Sequence, residues 1–579
     1  MVNAERKSQS SPVRTALAAG GISTVLLLLF NLIDTLILVA LPALLGATLS
    51  AAMTNGAHSV LVWIVVGLLA LGIIVESLKE LVDYSSRFRA VRVLRVTLLA
   101  HLLRLGYRGQ RRFNQGDLVN RLVDSSDRAS RAANAAARVL TALITSLGGL
   151  IGLFIIDWAV GVAFLVAVPP ILFLTMRHLG SIVSRSGDAA GAQAEIATRM
   201  MDSIRGLRTI RASGTVELEI NRALASSGEL RDISLRIWDA QRALVWQTAI
   251  IAPLLIIIVQ VVAGYRLIAG HLSAGELLAV SSYVVLAIGA LQILGGAKDI
   301  GETLAASARL RELLDEPPLA PGTRELPEGG GALTFTGVGS RVGDRQILRD
   351  ITFDVPAGRT VALVGESGVG KSTLTAIAGG VLAPDDGVVT FDGVPIGELR
   401  ADALRRAVVY AFERPVLLGD TIADALRYGD DTVSDTALRG ALRSTDAEGF
   451  VGRLPEQLET PVEGLCLSGG EVQRLGLARA ACRDARLFVM DDALSSVDTS
   501  TEATISAALQ HVSRGATRLL IAHRASTAAR ADVVVWLHDG TVGGIGTHRE
   551  LLADPEYRAV FAVPGDAGDM RRAESTSGS

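Results

Sequence analysis

Gly365-Glu366-Ser367-Gly368-Val369-Gly370-Lys371-Ser372-Thr373 is the stretch that decides the fold of the second half of this 579-residue chain. It follows the apolar run Val361–Val364 and precedes Thr373–Ala378, which reads as a helix. Strand, glycine loop, helix is the context a phosphate-binding loop needs. The glycines let the backbone curl so that successive N–H groups point inward at phosphate oxygens. The following helix adds its positive N-terminal end. Lys371 would reach the β- and γ-phosphates, and the Ser372 hydroxyl would bind Mg²⁺. The competing reading is a chance glycine turn. The full spacing argues against it, and so does composition, because Lys7, Lys79, Lys298 and Lys371 are the only lysines in the chain.

A chain this long exceeds a single core, so two or more domains are expected. Hydrophobic residues make up 49% and mean hydropathy is +0.40, with the apolar residues gathered in the first half. That distribution predicts a membrane part followed by a soluble part. The net charge of −3 gives no sign of nucleic-acid binding. Cys466 and Cys482 both lie in the soluble half and form no disulfide framework, as in a reducing cytosol. The first apolar run is too long for a signal peptide and is expected to stay in the mature chain.

The membrane domain is expected to cover residues 1–315, with apolar segments near Gly21–Leu45, His58–Val82, Ala135–Ile156, Trp158–Met176, Ala243–Ile268 and Glu276–Ala297. Each approaches the ~20 residues that span hydrocarbon as a helix. Residues 46–56 carry no Lys or Arg, whereas 87–131 and 177–242 are rich in arginine. Positive loops stay inside, which places the N-terminus, both long loops and the soluble half in the cytoplasm. Arg266 and His271, in a short outer turn, are the exception, and Trp63 and Trp158 fall near outer interfaces. Both long loops keep helical periodicity, broken by turns at Phe113–Leu118 and Ala212–Glu217. Asn31 and Asp34 share one face of the first span, and Gln260 and Gln292 lie in the last two. They line a substrate path or merely bond helices together.

Residues 316–331 are rich in Pro, Gly and Glu and read as a linker. An α/β domain is expected over 332–563, where short β-rich runs alternate with helical ones, and 564–579 reads as a disordered tail. The apolar strand Leu487–Met490 ends in Asp491-Asp492, and a carboxylate there orients Mg²⁺ in phosphate-loop NTPases. Between loop and strand stands Leu467-Ser468-Gly469-Gly470-Glu471. Downstream come Ser495-Ser496-Val497-Asp498 and a further strand, Leu519–Ala522, ending in His523.

This order of motifs resembles the nucleotide-binding domain of an ABC transporter, and the six spans with two long inner loops resemble the exporter-type membrane domain fused ahead of it. The resemblance covers nearly the whole chain. It implies a polytopic all-α membrane domain followed by an α/β P-loop NTPase domain, in the bacterial cytoplasmic membrane. It also implies that two such chains sandwich two ATP molecules, each between one P-loop and the other chain's signature. Residues Gly365–Thr373 would hold ATP and Mg²⁺, Asp491 would orient Mg²⁺, and Ser468, Gly469, Gly470 and Glu471 would cap the partner's ATP. Asp498 would link the two sites and His523 would face the γ-phosphate. The loop turns match the positions of the family's coupling helices. The implied activity is ATP-driven export of an amphipathic small molecule, lipid or peptide. A siderophore-type importer of the same fold and an ATP-binding regulatory subunit are the alternatives.

Four positions depart from the pattern. The carboxylate that polarises water is usually glutamate, and here it is Asp492, one methylene shorter. The glutamine loop reads Phe412-Glu413-Arg414-Pro415, so Glu413 replaces the glutamine; it keeps the capacity to ligate Mg²⁺ and adds negative charge. No aromatic stands near Val342 to stack on adenine, and the signature ends in Glu471 instead of glutamine. Such a mixture resembles the weaker half of a heterodimeric exporter, so a second, different half-transporter is the favoured partner over a homodimer. A misplacement of ~1 Å can cost ~10²-fold in rate. Asp492→Glu is therefore expected to raise steady-state ATPase in the same assembly, and an unchanged rate would mean that carboxylate reach does not limit the site.

Overall fold

In the computed structural model the described residues are 12–55, 59–289, 292–318, 322–343, 345–493, 505, 507–508 and 515–561. The tail 564–579 and the segment Ser495–Asp498 lie outside them. Two compact units emerge: Met1–Leu99 with Val119–Asp315, and Ala100–Leu118 with Glu316–Ser579. The first loop turn groups with the second unit and not with the rest of the stretch 1–315. Its anchors are physical: Phe113 and Leu118 are buried, His101 Nε2 donates to the Glu316 carbonyl at 3.1 Å, and Arg112 pairs with Glu316.

The helices up to the linker are α1 (Pro12–Gly20), α2 (Ile22–Asn55), α3 (Ser59–Leu105), α4 (Tyr107–Arg112), α5 (Gln115–Asn120), α6 (Ser126–Ser130), α7 (Ala132–Ile156), α8 (Trp158–Arg205), α9 (Leu207–Ser213), α10 (Val216–Ala223), α11 (Ser227–Ile268), α12 (Ala274–Ile288) and α13 (Gln292–Leu314). Among the described residues, four stretches are long and apolar enough to cross a membrane: Ile22–Met53, Val60–Leu105, Gly116–Ile156 and Ala249–Ile268. The fourth and sixth expected spans appear as shorter apolar stretches, Trp158–Pro170 and Ala274–Ile288. The latter stops where Gly289, a poor helix former, closes α12. The long loops are helical: α8 runs 48 residues and α11 runs 42. The second turn falls where expected, with Gly214 at φ 67° ending α9 in the left-handed conformation that glycine adopts without strain.

Lipid supplies no hydrophobic drive between helices, so packing rests on close approach and polar links. A Cβ on Gly149 of α7 would sit 2.7 Å from the Ala287 amide of α12, and one on Gly152 would meet the Tyr283 ring at 2.7 Å. Gly275 of α12 approaches Gly46 of α2 more closely still, a Cβ on Gly46 falling 2.6 Å from the Gly275 carbonyl. The exceptional outer cation is neutralised: Arg266 Nη2 lies 2.6 Å from Asp157 Oδ2. Asp157 Oδ1 also accepts from the Ala159 and Val160 amides and so caps α8.

The second unit holds two sheets. Strands β1 (Leu333–Val342), β2 (Arg345–Val355), β4 (Asp386–Phe391) and β5 (Val394–Pro395) form an antiparallel sheet in the order β2-β1-β4-β5. Strands β3 (Thr360–Val364), β6 (Val408–Ala411), β7 (Leu487–Met490), β8 (Thr517–Ile521), β9 (Val533–His538) and β10 (Thr541–Gly546) form the other, ordered β10-β9-β3-β8-β7-β6. Within it β9, β3, β8, β7 and β6 run parallel. Helices of this unit include α14 (Lys371–Ala378), α15 (Ala401–Ala407), α16 (Ile422–Arg427), α17 (Asp435–Ser444) and α18 (Gly469–Ala481). Parallel strands are covered on both faces, and alternate residues serve different cores. Val408, Leu487 and Val489 join the cluster with β1 and α14, while Val409 and Phe488 join the cluster of α16, α17 and α18.

Removing one partner of a buried ion pair costs ~3–5 kcal/mol. Asp157→Ala, which also deletes the cap of α8, is expected to lower the thermal unfolding midpoint in detergent more than Arg266→Ala does. Equal midpoints would show that the cap contributes nothing.

Candidate functional site

The order β3-β8-β7-β6 places four loops side by side at the carboxyl ends of adjacent parallel strands, where open α/β sheets bind ligands. The phosphate loop follows β3, His523 follows β8, Asp491 and Asp492 follow β7, and Glu413 follows β6. The residues singled out in the sequence thus meet at one sheet edge from four separated segments.

The loop itself has the backbone that phosphate binding requires. Gly365, Gly368 and Gly370 take φ of 157°, 83° and 106°, a region that side chains with a Cβ rarely enter. Gly370 caps α14, whose first residue is Lys371. Lys371 is buried and folded back into the loop, donating to Gly365 O at 2.7 Å and Glu366 O at 2.8 Å. Burial pulls its ammonium below the usual lysine range, against the opposing charges of Asp492, Asp491 and Glu366.

Ser372 Oγ donates to Asp491 Oδ1 at 2.9 Å, and Tyr410 OH donates to Oδ2 at 3.2 Å. Burial lifts the Asp491 carboxyl above the usual range; the bonds from Ser372 and Tyr410 oppose this, Glu413 adds to it and His523 opposes it. Glu413 is thus near enough to act on Asp491 electrostatically. Hard oxygen donors from Ser372, Asp491 and Glu413 are the set that Mg²⁺ prefers, so the residues present fit the ion. Asp492 stands at φ 50°, a left-handed conformation that aspartate tolerates better than most residues. Its Oδ2 lies 3.7 Å from His523 Nε2, within ion-pair range when the imidazole is protonated but beyond hydrogen-bond length.

The signature forms the N-terminus of α18. Ser468 Oγ accepts from the Glu471 amide at 3.3 Å and donates to Glu471 Oε2 at 2.9 Å, while the Ser468 amide donates to the same oxygen at 2.8 Å. This capping box explains Glu471: the Ser468 backbone and hydroxyl hold its carboxyl below the usual range. Gly469 and Gly470 form its first turn. Asp498 lies outside the described residues.

Sequence reading missed Gln473. It is 1% exposed, and its Nε2 donates to Glu413 O at 3.0 Å and Asp492 O at 3.3 Å. The available signal was a polar residue in the buried stripe with Gly476, Leu477 and Ala480. Two further contacts fasten α18 to the same loop: Arg479 donates to Val416 O at 3.0 Å, and Gly476 lies where a Cβ would meet Pro415 at 2.5 Å. The missing aromatic also has a structural counterpart. A cavity of about 320 Å³ beside the loop is lined by Arg345, Ile347, Arg349, Glu366–Val369 and Leu537–Gly540, and among the described residues the imidazole of His538 is the ring that lines it.

In the first unit, Asp34 is paired with Lys79 of α3 at 3.5 Å, and Asn31 Oδ1 accepts from Thr141 Oγ1 of α7 at 3.5 Å. Gln260 bonds Ser281 of α12. These contacts favour helix bonding over a free polar wall. The side chain of Gln292 is outside the described set.

Residues 348–495 match the ABC transporter family and residues 24–291 match the ABC transporter transmembrane region. The ABC transporter ATP-binding protein RamA of Streptomyces coelicolor is 40% identical over 565 residues, covering 96% of this chain and 87% of that protein. The ATP-dependent lipid A-core flippase of Chromohalobacter salexigens is 32% identical over 82% of this chain and 83% of its own. That of Shigella flexneri is 28% identical over 95% of both. A bacterial Atm1-family ABC exporter solved with ATP bound superposes with a TM-score of 0.77 at 25% identity, over 94% of this chain and 98% of that one.

Gln473→Leu removes the amide that donates to the Glu413 and Asp492 carbonyls, a loss of ~0.5–1.5 kcal/mol per bond. Steady-state kinetics should show kcat reduced about tenfold or more with KM for ATP little changed, because the Asp492 backbone loses its anchor. A change in KM alone would contradict this.

Proposed function

The chain belongs to the ABC transporter family, and from that premise we propose that it is one half of an ATP-driven exporter of the bacterial cytoplasmic membrane, with its N-terminus and nucleotide-binding unit inside, moving an amphipathic molecule, for which a lipid is the favoured class. The observation that carries the ATP-driven part is the convergence of Lys371, Ser372, Asp491, Asp492 and His523 at adjacent strand ends in a chain that also carries membrane-length helices. The lipid preference rests on the relatives named lipid A-core flippases. RamA, at 40% identity, is named without a substrate.

Lys371 already points its ammonium at carbonyls of the loop, and phosphate oxygens entering there are stronger acceptors for the same donor. Ser372, Asp491 and Glu413 would hold Mg²⁺, which when bound neutralises developing phosphate charge. Asp492 orients the attacking water and His523 faces the terminal phosphate. The signature Ser468 serves the ATP of a second chain. The chain runs unbroken from α3 through Ala100–Leu118 into α5, and this stretch would pass closure of the nucleotide sites on to the membrane helices. The shortened carboxylate Asp492 supports a heterodimer in which the partner's P-loop, completed by this chain's signature, carries the faster turnover.

Cys466 provides the test. It is exposed two residues before Ser468, whereas Cys482 is half-buried with its thiol pushed up to about 11 by burial. A maleimide probe at pH 7 should label Cys466 and spare Cys482. Addition of Mg²⁺ and a slowly hydrolysed ATP analogue should protect Cys466 as the signature closes over nucleotide. Protection only when the chain is co-purified with a partner half-transporter supports the heterodimer; protection of the chain alone supports a homodimer; labelling unchanged in both overturns the ATP-sandwich reading.

A further inference from the structure

Asp491 is held at both carboxylate oxygens, but the two grips differ. Ser372 is itself a proposed Mg²⁺ ligand, so its bond to Oδ1 is one the ion competes for. The Tyr410 bond to Oδ2 is not. An ionised carboxylate only accepts, so the single phenolic proton of Tyr410 points at Asp491. Thr375 Oγ1 of α14 stands 3.0 Å from the Tyr410 oxygen and 3.1 Å from the Ser372 carbonyl, so its single proton is shared between these two acceptors. One short chain of hydroxyls therefore joins the helix of the phosphate loop to the aspartate at the end of β7.

The ring of Tyr410 cannot swing away. It lies in a notch at Gly379, where a Cβ would sit 2.7 Å from its Cδ2, and its centroid is 4.3 Å from that of Phe412, the residue before Glu413. Its backbone is in register with Val489 of β7. A residue that only filled this core would need no hydroxyl: its strand neighbours Val408, Val409 and Ala411 are buried and apolar.

We propose that Tyr410 is the positioning residue that fixes Asp491 for Mg²⁺, holding Oδ2 while Oδ1 is left for the ion, with Thr375, Gly379 and Phe412 keeping the phenol in place. The inference rests on the ATP-site reading above and adds to it the side chain that sets metal affinity.

The test uses the full chain in lipid nanodiscs, loaded with a slowly hydrolysed ATP analogue and titrated with Mn²⁺, the free ion being read by electron paramagnetic resonance. Tyr410→Phe frees Asp491 Oδ2 from its donor and should weaken Mn²⁺ binding by about tenfold or more. Analogue binding in EDTA and the metal-free unfolding midpoint should stay at wild-type values. Thr375→Val, which removes the hydroxyl that donates to Tyr410, should shift Mn²⁺ affinity in the same direction by a smaller factor. Unshifted Mn²⁺ affinity in Tyr410→Phe overturns the tyrosine's role. So does a loss of analogue binding in EDTA with a lowered midpoint, which marks a core filler. A wild-type chain that binds the analogue with no dependence on Mn²⁺ overturns the ATP-site reading and the tyrosine's role with it.

Discussion

The parallel register of β3, β8, β7 and β6 is the constraint on which the site depends. Leu363 is opposite Ile521, Met490 opposite Leu520 and Ala411 opposite Met490, so the four strands end nearly level. A slip of one residue in any pair would turn its side chains to the other face and carry its loop out of reach. Register is held by burial on both faces: Val361 and Leu363 belong to one cluster, Ala362 and Val364 to another. The chemistry at the strand ends is positioned by hydrophobic packing several residues away from it.

That packing sustains conformations which cost free energy locally. Asp492 sits at positive φ, Lys371 is a buried ammonium bonded to carbonyls, and Asp491 is a half-buried carboxylate. Strained or desolvated groups of this kind persist only where surrounding contacts over-determine them. Gln473, Tyr410 and Thr375 are those contacts. Gln473 and Thr375 each bond a backbone oxygen of the site and Tyr410 bonds a carboxylate oxygen.

The membrane helices follow other rules. With no water to expel, α2, α7 and α12 approach at glycines, and charges within the bundle occur in pairs such as Asp34–Lys79 and Asp157–Arg266. The outer arginine that breaks the positive-inside pattern is neutralised by Asp157, which stands between α7 and α8.

The sequence alone determined much of this. Gly365–Thr373 needs its exact spacing to form a phosphate loop, Leu487–Met490 is a buried strand ending in a carboxylate, and runs of apolar residues near bilayer length are helices, because these are local consequences of backbone sterics and hydropathy. It also placed the break at Gly214, where a left-handed residue ends a helix. Only the tertiary structure decided that Ala100–Leu118 belongs with the nucleotide-binding unit, that Asp34 has a lysine partner 45 positions along the chain, and that Gln473 and Tyr410 converge on Asp492 and Asp491. Those facts depend on which distant strands and helices pack together, and no local pattern of residue types encodes the distance between two side chains that folding alone brings into contact.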